Sequence, residues 1–331
     1  MITALAGGVG AARFLTGLLA VVAPTDVTAI VNTGDDVELH GLHISPDLDT
    51  VTYTLANAIN PDTGWGLVDE SWSVMEALAR YQPQAPVTSS AGITWFRLGD
   101  RDLATHLYRT RRLDEGAPLS RVTGEIVAAW GLGLHVLPMT DDRVETRVTV
   151  METGQEREIG FQDYFVARQH SVPITGVRFA GADEAEPAPG VLSAIASAEV
   201  VVICPSNPIV SIGPLRSIAG IEAGIVSRRS ATVAVSPIIA GAAVKGPADR
   251  MLAELGHEPS VVGVARLYAP IAATLVIDNL DAELAPAVEA EGMRCVVTQT
   301  LMHGRADAAA LAKTVLSAGA GADIPRDGGA S

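Results

Sequence analysis

Three short segments carry residue types that do chemistry at a phosphate. Gly7-Gly8-Val9-Gly10 can bring backbone N–H groups against an anion, and Ser45-Pro46-Asp47-Leu48-Asp49-Thr50 offers two carboxylates two residues apart. Cys204-Pro205-Ser206-Asn207-Pro208 holds a polar Ser-Asn pair between two prolines. A glycine turn opening a helix admits phosphate oxygens, and hard carboxylate ligands suit Mg2+, which takes a few carboxylates plus substrate phosphate oxygens. Together the segments point to chemistry on a diphosphate rather than redox chemistry; any one alone is a weak signal.

Each segment also has a plain structural reading. Gly7 to Arg13 follows a strand and opens a helix, but Arg13 stands at the third glycine position of the dinucleotide fingerprint. The second strand ends in Asn32-Thr33-Gly34-Asp35-Asp36, with no single acid at the usual ribose-binding place, so a nicotinamide dehydrogenase is not favoured. The alternative is a tight strand-to-helix turn with packing glycines only. In the second segment, Ser45 can cap a helix with Pro46 at its first position, which accounts for Asp47 as a first-turn acid. Asp49, at the fourth helical position, is then expected to face the sheet edge with Asp35 and Asp36, making those three the candidate metal ligands.

Farther along, Lys245 is one of only two lysines and reads either as a catalytic partner of the diphosphate or as a solvated loop charge. Ser236-Pro237-Ile238 opens the same loop. Thr140-Asp141-Asp142 is balanced between a site and ordinary turn chemistry. In Gly99-Asp100-Arg101-Asp102 to His106, spacing alone prefers a cap for Asp102, a surface charge for Arg101 and a packed ring for His106. There is no nucleophile motif, which fits a reaction whose nucleophile belongs to a substrate.

The elements that must position these residues follow from periodicity. Ile2 to Ala6, a helical stretch from Ala11 to Val22, and Val27 to Asn32 make a β-α-β opening. Buried-strand runs recur at 133–137, 199–204, 231–236, 275–277 and 294–299, so the fold class expected is α/β, a Rossmann-like doubly wound, mainly parallel sheet. Residues 61–130 lack a convincing central strand and hold Trp65, Trp72 and Trp95, and read as a mainly helical insertion over the sheet's carboxyl edge. The core is then 1–60 with 131–322, and 323–331 is expected to be a flexible tail. Val144 to Val150 and Arg157 to Phe161 alternate around Glu152-Thr153-Gly154 as a hairpin.

Composition narrows the function. With 23 basic and 38 acidic residues the net charge is −15, which argues against nucleic-acid or anionic-membrane surfaces and for small-molecule substrates. Any anionic substrate must then be met by a local cation or a metal. Cys204 and Cys295 lie far apart in apolar runs, without zinc or disulfide spacing, and the N-terminus lacks a basic leader region. The expectation is a cytoplasmic protein whose acidic, Ala-rich helices permit a homodimer.

Taken in order, Ala6-Gly7-Gly8, Val31-Asn32-Thr33, Ile44 to Thr50, Leu98 to His106, Leu137 to Asp142, Pro205 to Pro208 and Ser236-Pro237-Ile238 resemble the 2-phospho-L-lactate transferase family, also called CofD or FbiA, of coenzyme F-420 biosynthesis. The resemblance implies Mg2+-dependent transfer of a phosphoenolpyruvyl or phospholactyl group from a guanosine diphosphate-linked donor. The implied acceptor is the ribityl hydroxyl of 7,8-didemethyl-8-hydroxy-5-deazariboflavin, with GMP released. It also implies Asp49 near the metal and ribityl chain, and Arg101 and His106 in the deazaflavin-contacting stretch. Gly8, Gly10, Arg13, Asn32, Ser206, Asn207 and Ser236 fall in donor-binding segments. Gly8 to Phe14 looks like the actinobacterial branch, where an enolpyruvyl donor is expected. The alternative is a non-catalytic regulator of the same fold that binds UDP-sugars, against which the stretch from Gly99 to His106 discriminates.

Overall fold

The computed structural model describes residues 1–86 and 89–320, and the tail expected at 323–331 lies outside them. Seven apolar runs form one parallel sheet: β1 (Ile2–Ala6), β2 (Val27–Val31), β3 (His135–Pro138), β4 (Val200–Ile203), β5 (Thr232–Val235), β6 (Thr274–Asp278) and β7 (Arg294–Thr298). Their spatial order is β3-β2-β1-β4-β5-β6-β7. The chain lays down three strands outward from β1, then returns to pair β4 with β1, Ile2 opposite Val200, and builds the other half. This reversal is the topological switch point, where open α/β sheets bind ligands beyond their carboxyl ends.

Successive side chains of a strand point to opposite faces, and both faces here are covered. Ala4, Ala6, Val200 and Val202 pack with Phe14, Leu15 and Leu18 of helix α1 (Gly8–Leu18) and Val51 of α2 (Pro46–Leu55). The same layer holds Val127 of α4 (Leu119–Ala129), which follows α3 (Asp102–Asp114), and Leu311 and Val315 of α5 (Arg305–Ala320). Leu5, Val201 and Ile203 face the opposite layer, with Ile195, Ile221, Ile225 and Tyr268. A Cβ on Gly17 would meet the Ala308 backbone at 2.1 Å, so glycine sets how closely α1 and α5 cross.

Between 61 and 130 the described residues form helices and turns, including a short helix Ser73–Leu78 before α3 and α4. The strands Glu145–Glu152 and Gln155–Gly160 pair as an antiparallel hairpin. A third strand, Ile174–Ala180, which the sequence reading does not include, joins the other edge of Glu145–Glu152. Its pairing is interrupted at Thr149/Val150 and it contains Gly176, which blurs the alternation that marks a strand. Among the described residues no helix is long and apolar enough to cross a membrane.

Candidate active site

The carboxyl ends of β1, β2 and β4 converge at the switch point. Gly8 has φ +71°, in the left-handed region that favours glycine, and lets the chain turn from β1 into α1. A Cβ on Gly10 would stand 2.1 Å from the Pro205 carbonyl oxygen, so glycine permits the loop after β4 to lie against this turn. Ser206 locks the two together, its Oγ donating to the Gly7 carbonyl at 2.8 Å. Asn207 Oδ1 accepts from the Ile209 N–H at 2.9 Å and shapes its own loop. Ser236 Oγ accepts from the Ile238 N–H at 3.1 Å and donates to its carbonyl at 3.0 Å. These three side chains therefore build loops at the carboxyl edge through bonds within the protein.

Two cations border the turn. Lys245 Nζ donates to the Thr63 carbonyl at 3.3 Å and lies 2.6 Å from where a Cβ on Gly64 would stand. The same position on Gly64 is 3.7 Å from Val9, which places the ammonium near the glycine turn. Partial burial, then the neighbouring Arg13 charge, lowers the Lys245 pKa. In a chain of net charge −15, these two like charges close together give the edge beside the turn a locally positive character.

Beneath the turn lies a cluster of acids organised by Asn32, which is fully buried at the end of β2. Its Nδ2 donates to Asp35 Oδ2 at 3.1 Å and to Asp47 Oδ2 at 2.9 Å, and its Oδ1 accepts from the Gly34 N–H at 2.8 Å. Burial, and then the charge of Asp47, holds the Asp35 pKa well above the usual carboxylate range. Burial pushes Asp47 up to about 7, with bonds from Asn32 and the Gly8 N–H opposing and the Asp36 charge adding to the rise. Asp36 accepts from Ser45 Oγ at 2.6 Å and lies 3.0 Å from His43 Nε2. Ser45 occupies the N-cap position of α2, but its hydroxyl goes to Asp36 instead of capping the helix.

Asp49 sits elsewhere than the sheet-edge position expected for it beside Asp35 and Asp36. Two residues along α2 rotate the side chain by about 200°, so Asp47 meets the Asn32 cluster and Asp49 turns toward α3. There Arg109, only 1% exposed, grips both Asp49 oxygens, with Nη1 donating to Oδ2 at 3.1 Å and Nη2 to Oδ1. His106 Nδ1 is 3.4 Å from Arg109 Nη1 and 3.7 Å from Asp49 Oδ2, while its Nε2 is 3.2 Å from Asp102 Oδ2. Tyr53 donates to Asp102 Oδ1 at 2.6 Å. Burial acts to raise the Asp102 pKa, but the hydrogen bond and charge of His106, the Tyr53 bond and the Arg109 charge together leave it lowered.

Asp49, Asp102 and His106 offer ligand atoms within 4.8 Å of one another, a spacing that can hold a metal ion. The Arg109 guanidinium already supplies positive charge to Asp49, whereas among the described residues Asp35 and Asp47 pair with no cation, Asp36 pairs only with His43, and Asp35 Oδ1 and Asp36 Oδ1 are buried without a partner. Two buried carboxylates with unpaired oxygens beside them are a second set of hard oxygen donors of the kind a divalent cation takes.

Arg101 is exposed at the start of α3, with Nη1 donating to the Val68 carbonyl at 2.8 Å and its N–H to Glu70 at 2.8 Å. Asp100 accepts from Ser71 Oγ and from the N–H groups of Ser73 and Val74, fastening the short helix Ser73–Leu78. Asp141 accepts from the Ser120 N–H and hydroxyl, and Asp142 from the Glu186 N–H, so both acids serve structure. Trp65, 44% exposed beside Gly64, meets Trp72 edge-on at 6.0 Å, and Arg97 lies 4.3 Å over the Trp72 ring. Asp47, Tyr53 and Arg109 join the site without having been expected there from the sequence. The signal for two of them was helical spacing: Asp49 and Tyr53 lie one turn apart, and Asp102, His106 and Arg109 share one face of α3.

The profile of the family described as 2-phospho-L-lactate transferase CofD matches residues 2–315. A phosphoenolpyruvate transferase of Streptomyces griseus is 45% identical over 316 residues, covering 95% of this chain and 97% of that protein. One of Kitasatospora aureofaciens is 44% identical over 318 residues, 96% of this chain and 97% of that protein. One of Mycolicibacterium smegmatis is 39% identical over 326 residues, 95% and 97% of the two chains. Among solved structures, a Bacillus halodurans member of the UPF0052 family superposes with a TM-score of 0.59 at 17% identity, over 95% of this chain and 98% of that one, which shows a shared fold. With one family matched along nearly the whole sequence, the chain belongs to the CofD family, the phosphoryl-group transferases of coenzyme F-420 biosynthesis.

Proposed function

We propose that the protein transfers a phosphoenolpyruvyl group, or its phospholactyl counterpart, from a guanosine diphosphate-linked donor to the ribityl hydroxyl of 7,8-didemethyl-8-hydroxy-5-deazariboflavin, releasing GMP, with Mg2+ as the metal. The observation that carries this reading is the contact between the phosphate-binding turn and the acids: a Cβ on Gly7 would lie 3.1 Å from Asp47 Oδ2, and one on Gly8 3.5 Å from Asp47 Oδ1. A diphosphate on the turn and a cation on the acids would therefore be neighbours. The relatives' name, phosphoenolpyruvate transferase, supports the enolpyruvyl donor.

Asp35 and Asp47, with Asp36 beside them, are the residues that would hold the cation, and its chemistry there is to neutralise charge on the diphosphate. Arg13, Lys245 and the N–H groups of the turn bind the phosphates. Asp49, kept in place by Arg109, orients the acceptor hydroxyl, and Trp65 and Trp72 with Arg101 nearby wall the deazaflavin ring. In the transfer, the ribityl oxygen forms a bond to the phosphorus bearing the three-carbon group. The bond from that phosphorus to the bridging oxygen breaks, its electron pair departs with GMP, and the hydroxyl proton leaves toward a carboxylate. Catalysis of this kind is mainly positioning and electrostatics, which fits a site without a protein nucleophile.

The test is incubation of the purified protein with the deazaflavin, Mg2+ and each donor form, with GMP release and the phosphodiester product followed by chromatography. Metal-dependent formation of both products is expected, faster with the enolpyruvyl donor. Deazaflavin left unconverted with both donors, together with tight UDP-sugar binding, would replace this reading with the regulatory one.

A further inference from the structure

Two exposed aromatic residues, from different parts of the fold, lie close to the loop that carries Lys245. Trp65 follows Gly64, beside the Lys245 ammonium. Phe165 comes from the segment after the antiparallel hairpin, and its ring lies 4.0 Å from where a Cβ on Gly246 would stand, one residue from Lys245. An exposed phenylalanine is ordinary by itself. This one is the exposed member of a preformed aromatic group: it is 36% exposed, nearly parallel to the buried Phe161 (20°, centroids 5.4 Å apart), and beside His170 at 5.5 Å.

The backbone that presents it is unusual. Asp163–Ala167 is a π-helical turn, a rare geometry that is frequent at functional sites, and Gln169 and His170 follow it at φ +50° and +43°. Side chains hold the turn in place: Arg168 Nε donates to Asp163 at 3.2 Å and Nη1 to Glu152, while Gln162 Nε2 donates to the Asp35 carbonyl at 2.9 Å. The segment that carries Phe165 is thus fastened at one end to the carboxylate cluster and lies against the loop that carries Lys245.

We infer that Phe165 is the stacking platform for the purine base of the donor, an inference that rests on the reading that Arg13, Lys245 and the glycine turn take the donor's diphosphate. A nucleoside diphosphate held there has its base free to reach an adjacent wall. The Trp65–Trp72 pair on the helical side serves the other heterocycle, so each of the two substrates has its own aromatic surface. Stacking on a rigid ring needs no ordering of the protein at binding and tolerates any purine, so base identity must be read by other groups.

Calorimetric titration with GDP and, separately, with inorganic pyrophosphate tests this, using the full-length protein with Mg2+ and its Phe165→Leu and Phe165→Trp variants. Leucine keeps the apolar packing and removes the π face. The Leu variant should bind GDP about tenfold or more weakly, at unchanged pyrophosphate affinity, and the Trp variant should retain GDP affinity. Deazaflavin affinity, followed by its fluorescence, should be the same in all three. GDP affinity unchanged in the Leu variant overturns the inference, as does an equal loss of GDP and pyrophosphate. Wild-type protein that binds GDP no tighter than pyrophosphate overturns it with the donor reading intact, whereas wild-type protein that binds neither removes both.

Discussion

Asp47→Asn should stabilise the metal-free protein at pH 8 while abolishing its response to Mg2+. The carboxyl is buried and its pKa rises from 3.8 to about 7, first through desolvation, with the charge of Asp36 adding to it. At ~1.4 kcal/mol per pH unit, ionising it in the native state costs about 4 kcal/mol more than in the unfolded chain. Because the native value is the higher one, the folded chain holds the extra proton between about pH 4 and 7. Stability is therefore lost as pH rises through that window and is level above it. Asp35, raised by burial and by the Asp47 charge, adds in the same direction. Asparagine keeps an oxygen to accept from Asn32 and gains an N–H for Asp35, so the expected gain is about 2–4 kcal/mol at pH 8 and near zero at pH 4. Urea unfolding in EDTA at both pH values measures it, and adding Mg2+ at pH 8 should raise the wild-type midpoint by mass action but not that of the variant. A variant less stable than wild type at pH 8 in EDTA would refute the claim that these acids are electrostatically strained without a cation.

Arg109→Met strands the Asp49 carboxylate in the interior and should cost about 3–5 kcal/mol, most of it recovered in the double variant with Asp49→Leu; single costs that simply add in the double variant would show that the pair is not coupled. Gly10→Ala places a methyl 2.1 Å from the Pro205 carbonyl and must part the two loops. Donor KM should rise about tenfold or more while deazaflavin affinity holds, and an unchanged KM would mean that this contact does not shape the donor site. Lys245→Met should raise donor KM by about tenfold and flatten its dependence on ionic strength, measured by initial rates between low and high salt.

What could be read from the sequence alone was whatever depends on neighbours along the chain. Runs such as Val200–Ile203 and Thr274–Asp278 are apolar on both faces and bounded by turn residues, which only a strand buried between two helical layers requires, so the parallel sheet followed directly. The glycine turn was legible for the same reason, since its chemistry is set by Gly7 to Gly10 themselves. The strand Ile174–Ala180 and the π-helical turn before it were not, because a bulged strand and a strained turn are held by packing against residues far away.

Which carboxylates meet was decided only by the tertiary structure. Asp47 and Asp49 are equivalent as residue types, and local rules favour Asp47 as a helix-start acid. Its contact with Asp35 depends on Asn32, fifteen positions earlier, and the fate of Asp49 depends on Arg109, sixty positions later. Sequence specifies that acids occur at the ends of strands and the starts of helices. Whether a buried acid meets an arginine, a histidine or another acid is a matter of through-space electrostatics in a low-dielectric interior, and it is settled only when the strands, α2 and α3 are docked.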